Sequence, residues 1–378
     1  MMDSKKLYRL FSPCILVKGY GRSLIVDLNR HGIFYIPNEF HDVLKYGQRH
    51  TWEELIQKYG EENKMLLEEY YQHLRRHELI FSVNRKESAR FPSFSMEWDF
   101  PSYCSNAILD IDLRKKNSVE LAIQKLSEVN CYHLQIRFLA TYSFDEIRFL
   151  LNLTQDMSFN TVQLSLKYVD GIEIFCDDIF DNYWKLAKVE VFDAPFDKII
   201  PKMANICLLN YYKDKTLNVN QCGCVSTKYF VVETNHFTES QCHNTCLNRK
   251  ICIDAEGNIK NCPAMAKSYG NIKDTTLEEA INKPGFKDLW YICKDQIDVC
   301  KDCEFRHLCT DCRAFIKDPD NIYSQPAKCT YNPYICKWQG EEGYVPVEEC
   351  GTYSRETGFV PDKKKIAQLN KLIWGEEE

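Results

Sequence analysis

The stretch Cys300-Lys-Asp-Cys303-Glu-Phe-Arg-His-Leu-Cys309-Thr-Asp-Cys312 holds two C-x2-C pairs with five residues between them. This spacing brings four thiols within reach of one another, which suits metal ligation better than core packing. Twelve of the nineteen cysteines of the chain fall between Cys222 and Cys329. The sequence therefore predicts a region that folds around metal.

The composition narrows the classes of function. The 378 residues are enough for two or three domains, and the net charge of -6 argues against a nucleic-acid binder. No apolar run reaches the roughly 20 residues that a membrane span needs, so a membrane partner is not expected.

The first residues, MMDSKKLYRLFSPC, contain no signal-peptide pattern, which predicts a cytoplasmic protein. Thiols stay reduced in the cytosol, and clustered cysteines there indicate metal or redox chemistry more often than disulfides.

Hydrophobic periodicity divides the chain into four parts. Residues 1–90 read as a winged-helix-like module, with strands at 15–18, 23–27 and 79–82 and helices at 38–46, 51–59 and 63–77. Residues 98–212 alternate strand and helix, with strands at 107–113, 133–139, 162–168, 188–192 and 204–209. Residues 213–336 are the cysteine-rich part, and residues 337–378 form a polar tail with a helix at 364–374. The expected class is α/β.

The strands of the second part alternate apolar with polar residues, as in Leu109-Asp110-Ile111-Asp112. A sheet covered on both faces would show continuous apolar runs instead. The pattern predicts a partial (β/α) barrel with a polar interior, and an open sheet with one wetted face is the alternative. Candidate substrate-binding residues on the polar side are Asp110, Asp112, Arg137 and Lys167, which could equally form a structural ion network.

Two further features belong to the cysteine pattern. Residues 251–259 predict a hairpin with Gly257 in its turn, which would return Cys262 alongside the tract after Cys246. Cys329 follows Cys312 after sixteen intervening residues.

The pattern C-x10-G-x4-C, then C-x2-C-x5-C-x2-C, then a last cysteine resembles a SPASM domain, the auxiliary-cluster domain of radical SAM peptide maturases. The tracts NTCLNRK, GNIKNCP, CKDCEFRHLCTDCRAF and WDFPS…NAILDID are similar to the peptide maturases of grasp-with-spasm systems, which act beside an ATP-grasp ligase. This chain has two residues, where the usual pattern has three, before the fourth cysteine of the central run.

The resemblance implies two [4Fe–4S] clusters. One would be held by Cys300, Cys303, Cys309 and Cys329, and the other by Cys246, Cys262, Cys312 and a fourth ligand. Cys222 is the first choice for that ligand, with Cys224, Cys242, Cys252 or an exchangeable non-protein ligand as alternatives. Zinc bound by the paired C-x2-C units is the alternative metal.

The C-x3-C-x2-C motif that radical SAM enzymes carry after their first barrel strand is missing, since Arg114-Lys115-Lys116-Asn117-Ser118 stands there. SAM is therefore not an expected cofactor. The resemblance implies a precursor peptide and an ATP-grasp ligase as partners, and an electron donor is a further candidate. It also implies that a leader peptide adds a strand to the first module, in a groove between residues 23–27 and 63–77. The chain is then either a peptide-modifying enzyme or a non-catalytic adaptor that presents the peptide to the ligase.

Overall fold

The computed structural model describes residues 2–203, 206–220 and 222–375. Within these ranges the strands are β1 Lys6–Leu10, β2 Cys14–Lys18, β3 Ser23–Asp27, β4 Gly32–Ile36, β5 Ile80–Asn84, β6 Asn106–Ile111, β7 His133–Phe138, β8 Thr161–Lys167, β9 Leu186–Phe192, β10 Lys198–Lys202, β11 Cys207–Tyr211, β12 Lys250–Ile253, β13 Ile259–Lys260, β14 Tyr331–Asn332, β15 Lys337–Trp338, β16 Gly351–Ser354 and β17 Gly358–Pro361. The α-helices are α1 Asn38–Gly47, α2 Trp52–Tyr59, α3 Lys64–Arg76, α4 Lys116–Glu128, α5 Phe144–Gln155, α6 Ile172–Asn182, α7 Thr234–Glu239, α8 Leu277–Asn282 and α9 Lys363–Trp374. No helix in the described ranges combines the length and the apolar composition that crossing a membrane requires.

The first module contains the three predicted helices and the predicted strands, together with β1 and β4, which the sequence did not reveal. Thr51 and Glu54 form a capping box at the start of α2, with hydrogen bonds of 3.3 and 2.8 Å. β3 is the middle strand of the sheet β2-β3-β4. Both of its edges are therefore occupied within this sheet, and the expectation that residues 23–27 and 63–77 flank a groove for a leader peptide stays a prediction.

An eight-stranded, mostly parallel sheet forms the centre of the molecule, in the order β10-β11-β9-β8-β7-β6-β12-β13. The predicted alternation is present: Leu109, Ile136 and Leu164 are buried against the helices. On the other face Asp110, Arg137 and Ser165 stand in register on neighbouring strands. The mixed α/β class is confirmed.

The edges of this sheet differ from the prediction. β10 and β13 lie antiparallel at the two ends, and β12 from the cysteine-rich part pairs in parallel with β6. The strand predicted at 204–209 begins at Cys207, and residues 204 and 205 of that prediction lie outside the described residues. The hairpin of β12 and β13 is confirmed, with Gly257 at φ +87°.

The first module packs against the cysteine-rich part. The Arg22 guanidinium lies 2.7 Å from the buried Glu304 carboxylate, and Tyr35 meets Phe305 edge to face at 6.1 Å. Asp362 caps the start of the tail helix α9, because its carboxylate accepts two backbone N–H bonds. The division into four domains stays a prediction.

Candidate metal centres

The first group of thiols, called here the Cys300 site, consists of Cys300, Cys303, Cys309 and Cys329. All four line one small cavity, which also has an aromatic wall. Cys300 and Cys309 are buried, and Cys303 and Cys329 are half-buried. Burial raises the pKa of Cys300 to about 12. Loss of its proton therefore requires a nearby positive charge, such as that of a bound metal.

Lys294 lies beside the Cys300 site, with its Nζ 3.4 Å from Sγ of Cys309. The same ammonium is 3.8 Å from the carboxylate of Asp311, and its side chain is only 6% exposed. Burial on its own lowers the pKa of Lys294, but the cysteines and Asp311 around it more than offset that effect and raise it. This buried positive charge is placed to balance thiolates or a cluster bound by them.

The second group, called here the Cys312 site, consists of Cys222, Cys246, Cys262 and Cys312. The thiols of Cys222 and Cys262 are hydrogen-bonded to each other, and Cys312 is close enough to Cys246 and Cys222 to feel their charge. Cys262 and Cys312 are buried, Cys246 is half-buried and Cys222 is exposed. The site therefore reaches the protein surface at Cys222.

Lys250 takes the corresponding place in the Cys312 site, with its Nζ 3.5 Å from Sγ of Cys246. The hydrogen bond from Cys262 lowers the pKa of Cys222 to about 6, and Lys250 adds to that effect. The pKa of Cys262 is raised, chiefly by the same hydrogen bond. The opposite directions of these two pKa shifts mean that Cys262 holds its proton more tightly than Cys222 does.

The loop that carries Cys222 is held from two sides. Gly223 has φ +86°, and a Cβ on it would lie 3.0 Å from Sγ of Cys312, so a glycine fits best here. The Lys328 ammonium donates to the carbonyls of Asn220 at 2.6 Å and Cys222 at 2.7 Å. Because the next residue is Cys329, one short segment touches both sites.

A buried chain of hydrogen bonds also joins the two sites. Asn244 donates from Nδ2 to the Asp311 carboxylate at 2.7 Å, and its Oδ1 accepts from the N–H of Cys246 at 3.0 Å. Asp311 in turn pairs with Lys294. A change at one site can therefore reach the other through three side chains.

Two of the rivals of Cys222, Cys252 and Cys242, lie beside groups outside the Cys312 site. Cys252 is buried on β12, near the charges of Asp110 and Arg137. Cys242 is close to Cys293, and Cys224 is exposed. The assignment of cluster ligands stays a prediction, with Cys222 as the candidate that lies against Cys262.

The candidate substrate-binding residues do not gather into one open site. Asp110 and Arg137 form a two-pronged ion pair at 2.6 and 2.8 Å, and each side chain is 3% exposed. Asp112 pairs with Arg114 instead, at 2.8 and 2.7 Å. Lys167 is half-buried at the end of β8. Arg137 also lies near enough to Cys222 to affect its pKa, so the polar face of the sheet borders the Cys312 site.

Sequence reasoning missed Lys250, Lys294 and Asn244. Each stands within six residues of a cysteine of the two sites, but no local pattern distinguishes a lysine that will be buried from one that stays in water. Only the tertiary structure shows that both ammonium groups point at sulfur.

The thiol donors can be tested against the two proposed metals. Within the described parts of the chain, no group of three or more His, Cys, Asp or Glu side chains is arranged to hold a metal ion. Four-cysteine sets are the usual ligands of [4Fe–4S] clusters. Two sets of four thiols, each with a lysine ammonium within 3.5 Å of a sulfur, fit such a cluster in donor type and charge.

Comparison of the sequence with family profiles and with curated proteins returned no match. Comparison of the structure returned SuiB of Streptococcus suis, with 12% identity over 83% of this chain and 96% of that protein, at a TM-score of 0.31. SuiB bound to S-adenosylmethionine has 11% identity over 83% and 95%, at 0.31. SuiB bound to its precursor peptide SuiA has 11% identity over 86% and 98%, at 0.29. Scores at this level do not establish a common fold.

Proposed function

We propose that this chain takes part in the maturation of a ribosomally made peptide and holds one [4Fe–4S] cluster at each of its two thiol sites. The observation that carries the proposal is the pairing of each four-cysteine set with one lysine ammonium, Lys294 at the Cys300 site and Lys250 at the Cys312 site. The sequence motifs of the cysteine-rich part support the peptide as substrate.

When bound, the clusters would supply electron transfer or a site for a substrate side chain. The residues around each site indicate which of these roles that site would have. The Cys300 site is enclosed by aromatic side chains, which favours a structural or electron-storing part. The Cys312 site reaches the surface at Cys222 and borders the polar face of the sheet, which favours contact with a substrate or an electron donor.

The partner of the reaction is an ATP-grasp ligase, and both proteins act in the cytosol. Since Arg114-Lys115-Lys116-Asn117-Ser118 takes the place of the SAM-cluster motif, cleavage of SAM by this chain is not part of the proposal.

A second candidate function is that of a non-catalytic adaptor that presents the peptide to the ligase. The closed ion pair of Asp110 and Arg137 favours it, because both side chains are buried and already satisfied. A protein stabilised by zinc is the corresponding binding-only alternative.

Anaerobic purification followed by iron, sulfide and zinc analysis tests the cluster assignment. The expected result is about eight iron and about eight sulfide per chain, with absorbance near ~400 nm. Zinc without that absorbance would refute the clusters.

Mass spectrometry of a precursor peptide separates the enzyme from the adaptor. The peptide is incubated with the ligase alone, with this protein alone, and with both. A mass shift from this protein alone identifies an enzyme, whereas a faster ligase reaction with no new product identifies an adaptor. The same product at the same rate from the ligase alone would exclude both.

A further inference from the structure

A cavity of about 370 Å³ opens in the C-terminal part of the chain, next to the Cys300 site. It lies between the hairpin of β16 and β17, the turn at residues 347–348 and the segment 317–325. It is called here the β16 cavity. Val299 and Gln325 line both this cavity and that of the Cys300 site, so the two cavities share a wall. Its volume is in the range of a binding site for a small ligand.

Gln325 presents an unsatisfied amide to the β16 cavity. Only 4% of this residue is exposed, and its backbone carbonyl accepts a hydrogen bond from the N–H of Lys317 at 2.9 Å. Among the described residues, however, its side-chain amide has no hydrogen-bond partner. A buried amide without a partner destabilises a fold. A ligand that forms a hydrogen bond with this amide would offset that loss.

Carboxylates outnumber cations around the cavity. Asp298, Asp318 and Glu348 line it, and Lys317 is the single cation of its described lining. Lys317 already lies 2.7 Å from Glu348. The side chain of Asp298 is 10% exposed, and the ammonium of Lys301 lies 3.4 Å from it, outside the described lining. This excess of negative charge favours a cationic occupant.

A strained turn holds Asp298 at the cavity. Val299 has φ +66° and ψ −43°, and the N–H of Cys300 donates to the carbonyl of Asp298 at 2.7 Å. This is a γ-turn of the rare kind, in a conformation that β-branched residues seldom adopt. The strain occurs where the turn fixes Asp298 at one cavity and Cys300 at the other.

The remaining lining favours an organic cation over a metal ion. Val347 and Phe359 are buried and form an apolar wall. The hydroxyl of Tyr353 donates to Asp318 at 2.8 Å, and the exposed guanidinium of Arg355 lies 4.0 Å from the same carboxylate. A calcium ion takes about six to eight oxygen ligands, whereas this cavity combines a few oxygens with hydrocarbon. Such a lining suits an ammonium group carried on an aliphatic chain.

We infer that the β16 cavity binds an alkylammonium group, which donates to the carboxylate of Asp298 and to the side-chain carbonyl of Gln325 and lays its hydrocarbon chain against Val347 and Phe359. An ammonium has three donors and no acceptor, which matches these oxygen atoms. A free diamine and the lysine side chain of a peptide share this chemistry. The inference goes beyond the proposed function, since binding requires neither a cluster nor a ligase.

Isothermal titration calorimetry of the full chain, purified anaerobically, tests the inference with three probes. They are 1,5-diaminopentane, a blocked tripeptide with a central lysine, and 1,5-pentanediol. At least one of the two amines is expected to bind at one site per chain, and the amine that binds more tightly identifies the source of the ammonium. The diol has the same chain without charge and is expected not to bind.

Gln325→Met separates binding from folding, because it removes the amide and keeps a side chain of similar size. It should weaken amine binding by about tenfold without lowering the melting temperature, since the amide has no partner among the described residues. Asp298→Asn should weaken binding at least as much. Glu356→Gln, at an exposed position of the same hairpin outside the cavity, should leave binding unchanged.

Three results would overturn the inference: no binding of either amine, binding of the diol as tight as that of the diamine, or wild-type amine binding by a folded Gln325→Met chain. Calcium or magnesium bound more tightly than both amines, and lost in Asp298→Asn, would overturn the organic class of the ligand. Where Asp298→Asn fails to fold, Glu348→Gln, at an exposed carboxylate of the same lining, takes its place.

Discussion

The Cys300 and Cys312 sites use the same components, four thiols and one lysine, in opposite settings. The Cys300 site is closed by aromatic side chains and packs against the first module through Phe305 and Leu308. The Cys312 site ends at the surface, on a loop held by Lys328 and allowed by Gly223. Burial, rather than ligand type, thus separates a site suited to holding the fold from one suited to meeting a partner.

Removal of one cysteine ligand from each site should reveal the difference between the two sites most strongly. Cys309→Ala is expected to lose the Cys300-site cluster and much of the packing around it, whereas Cys222→Ala should leave that cluster and the fold in place. Each variant should retain about four of about eight iron, but only Cys309→Ala should lower the melting temperature sharply. Cys176→Ala, at a buried thiol outside both sites, is the control, and equal loss of stability in the two ligand variants would refute the contrast.

The two lysines allow a finer comparison. Lys294→Met should lower the free energy of unfolding by about 2 kcal/mol, because Asp311 keeps Arg313 at 2.8 Å but loses its second cation. Lys250→Met should cost less, since among the described residues no carboxylate lies within 4.0 Å of the Lys250 ammonium. Each change should also lower the reduction potential of its own cluster only, as followed by EPR during a redox titration.

Lysine-to-arginine variants at the same positions keep the charge and serve as controls. A potential that shifts at both clusters with either methionine variant would show that the sites do not act separately.

The packing of the loop that carries Cys222 can be tested by a substitution that leaves every cysteine in place. Gly223→Ala should destabilise the chain by about 1–2 kcal/mol, because it adds backbone strain and presses on Cys312. Gly340→Ala is the matched control, since Gly340 has φ +95° with nothing within 4 Å of its added Cβ. Urea unfolding measures both, and an equal loss would mean that the contact with Cys312 contributes nothing.

The last expected effect is one of pH, and it concerns Glu239, which is close enough to Lys250 for their charges to interact. Burial raises the pKa of Glu239 to about 7, against a hydrogen bond of 2.8 Å from Asn248 that lowers it. Between pH 4.5 and pH 7 the Glu239 carboxyl is ionised in the unfolded chain but still protonated in the folded chain. The contribution of this group to the free energy of unfolding is therefore complete below pH 4.5 and is lost as the pH rises to 7.

Glu239→Gln should remove this loss, which is about 1–2 kcal/mol for a half-buried group. The difference in unfolding free energy between wild type and variant, measured across the window, is the test. A difference that does not change with pH would refute the assignment to Glu239.

The sequence was informative wherever a local pattern carried the information. Alternation located β6 to β9, and Gly257 located the hairpin that brings Cys262 back toward Cys246. Capping pairs such as Thr51 and Glu54 located helix starts.

Long-range pairing was not accessible in this way. The local sequence of residues 250–253 does not predict that they pair with β6, and the residues near Lys294 do not predict that its side chain is buried. Both follow from contacts between residues distant in sequence, which depend on the whole fold rather than on periodicity.

The pairing of β12 with β6 sets a condition on how the protein is made. A nascent chain that ends near residue 212 already contains β6, but the strand that pairs with its edge, Lys250–Ile253, has not yet been synthesised. Synthesis of the roughly 140 residues between the two strands takes about 7–30 s at usual rates. Over that interval Asn106–Leu109 is an exposed strand edge, of the kind that recruits other chains. Fragments cut at this boundary should aggregate, and expression of the sheet will depend on having the cysteine-rich part in the same polypeptide.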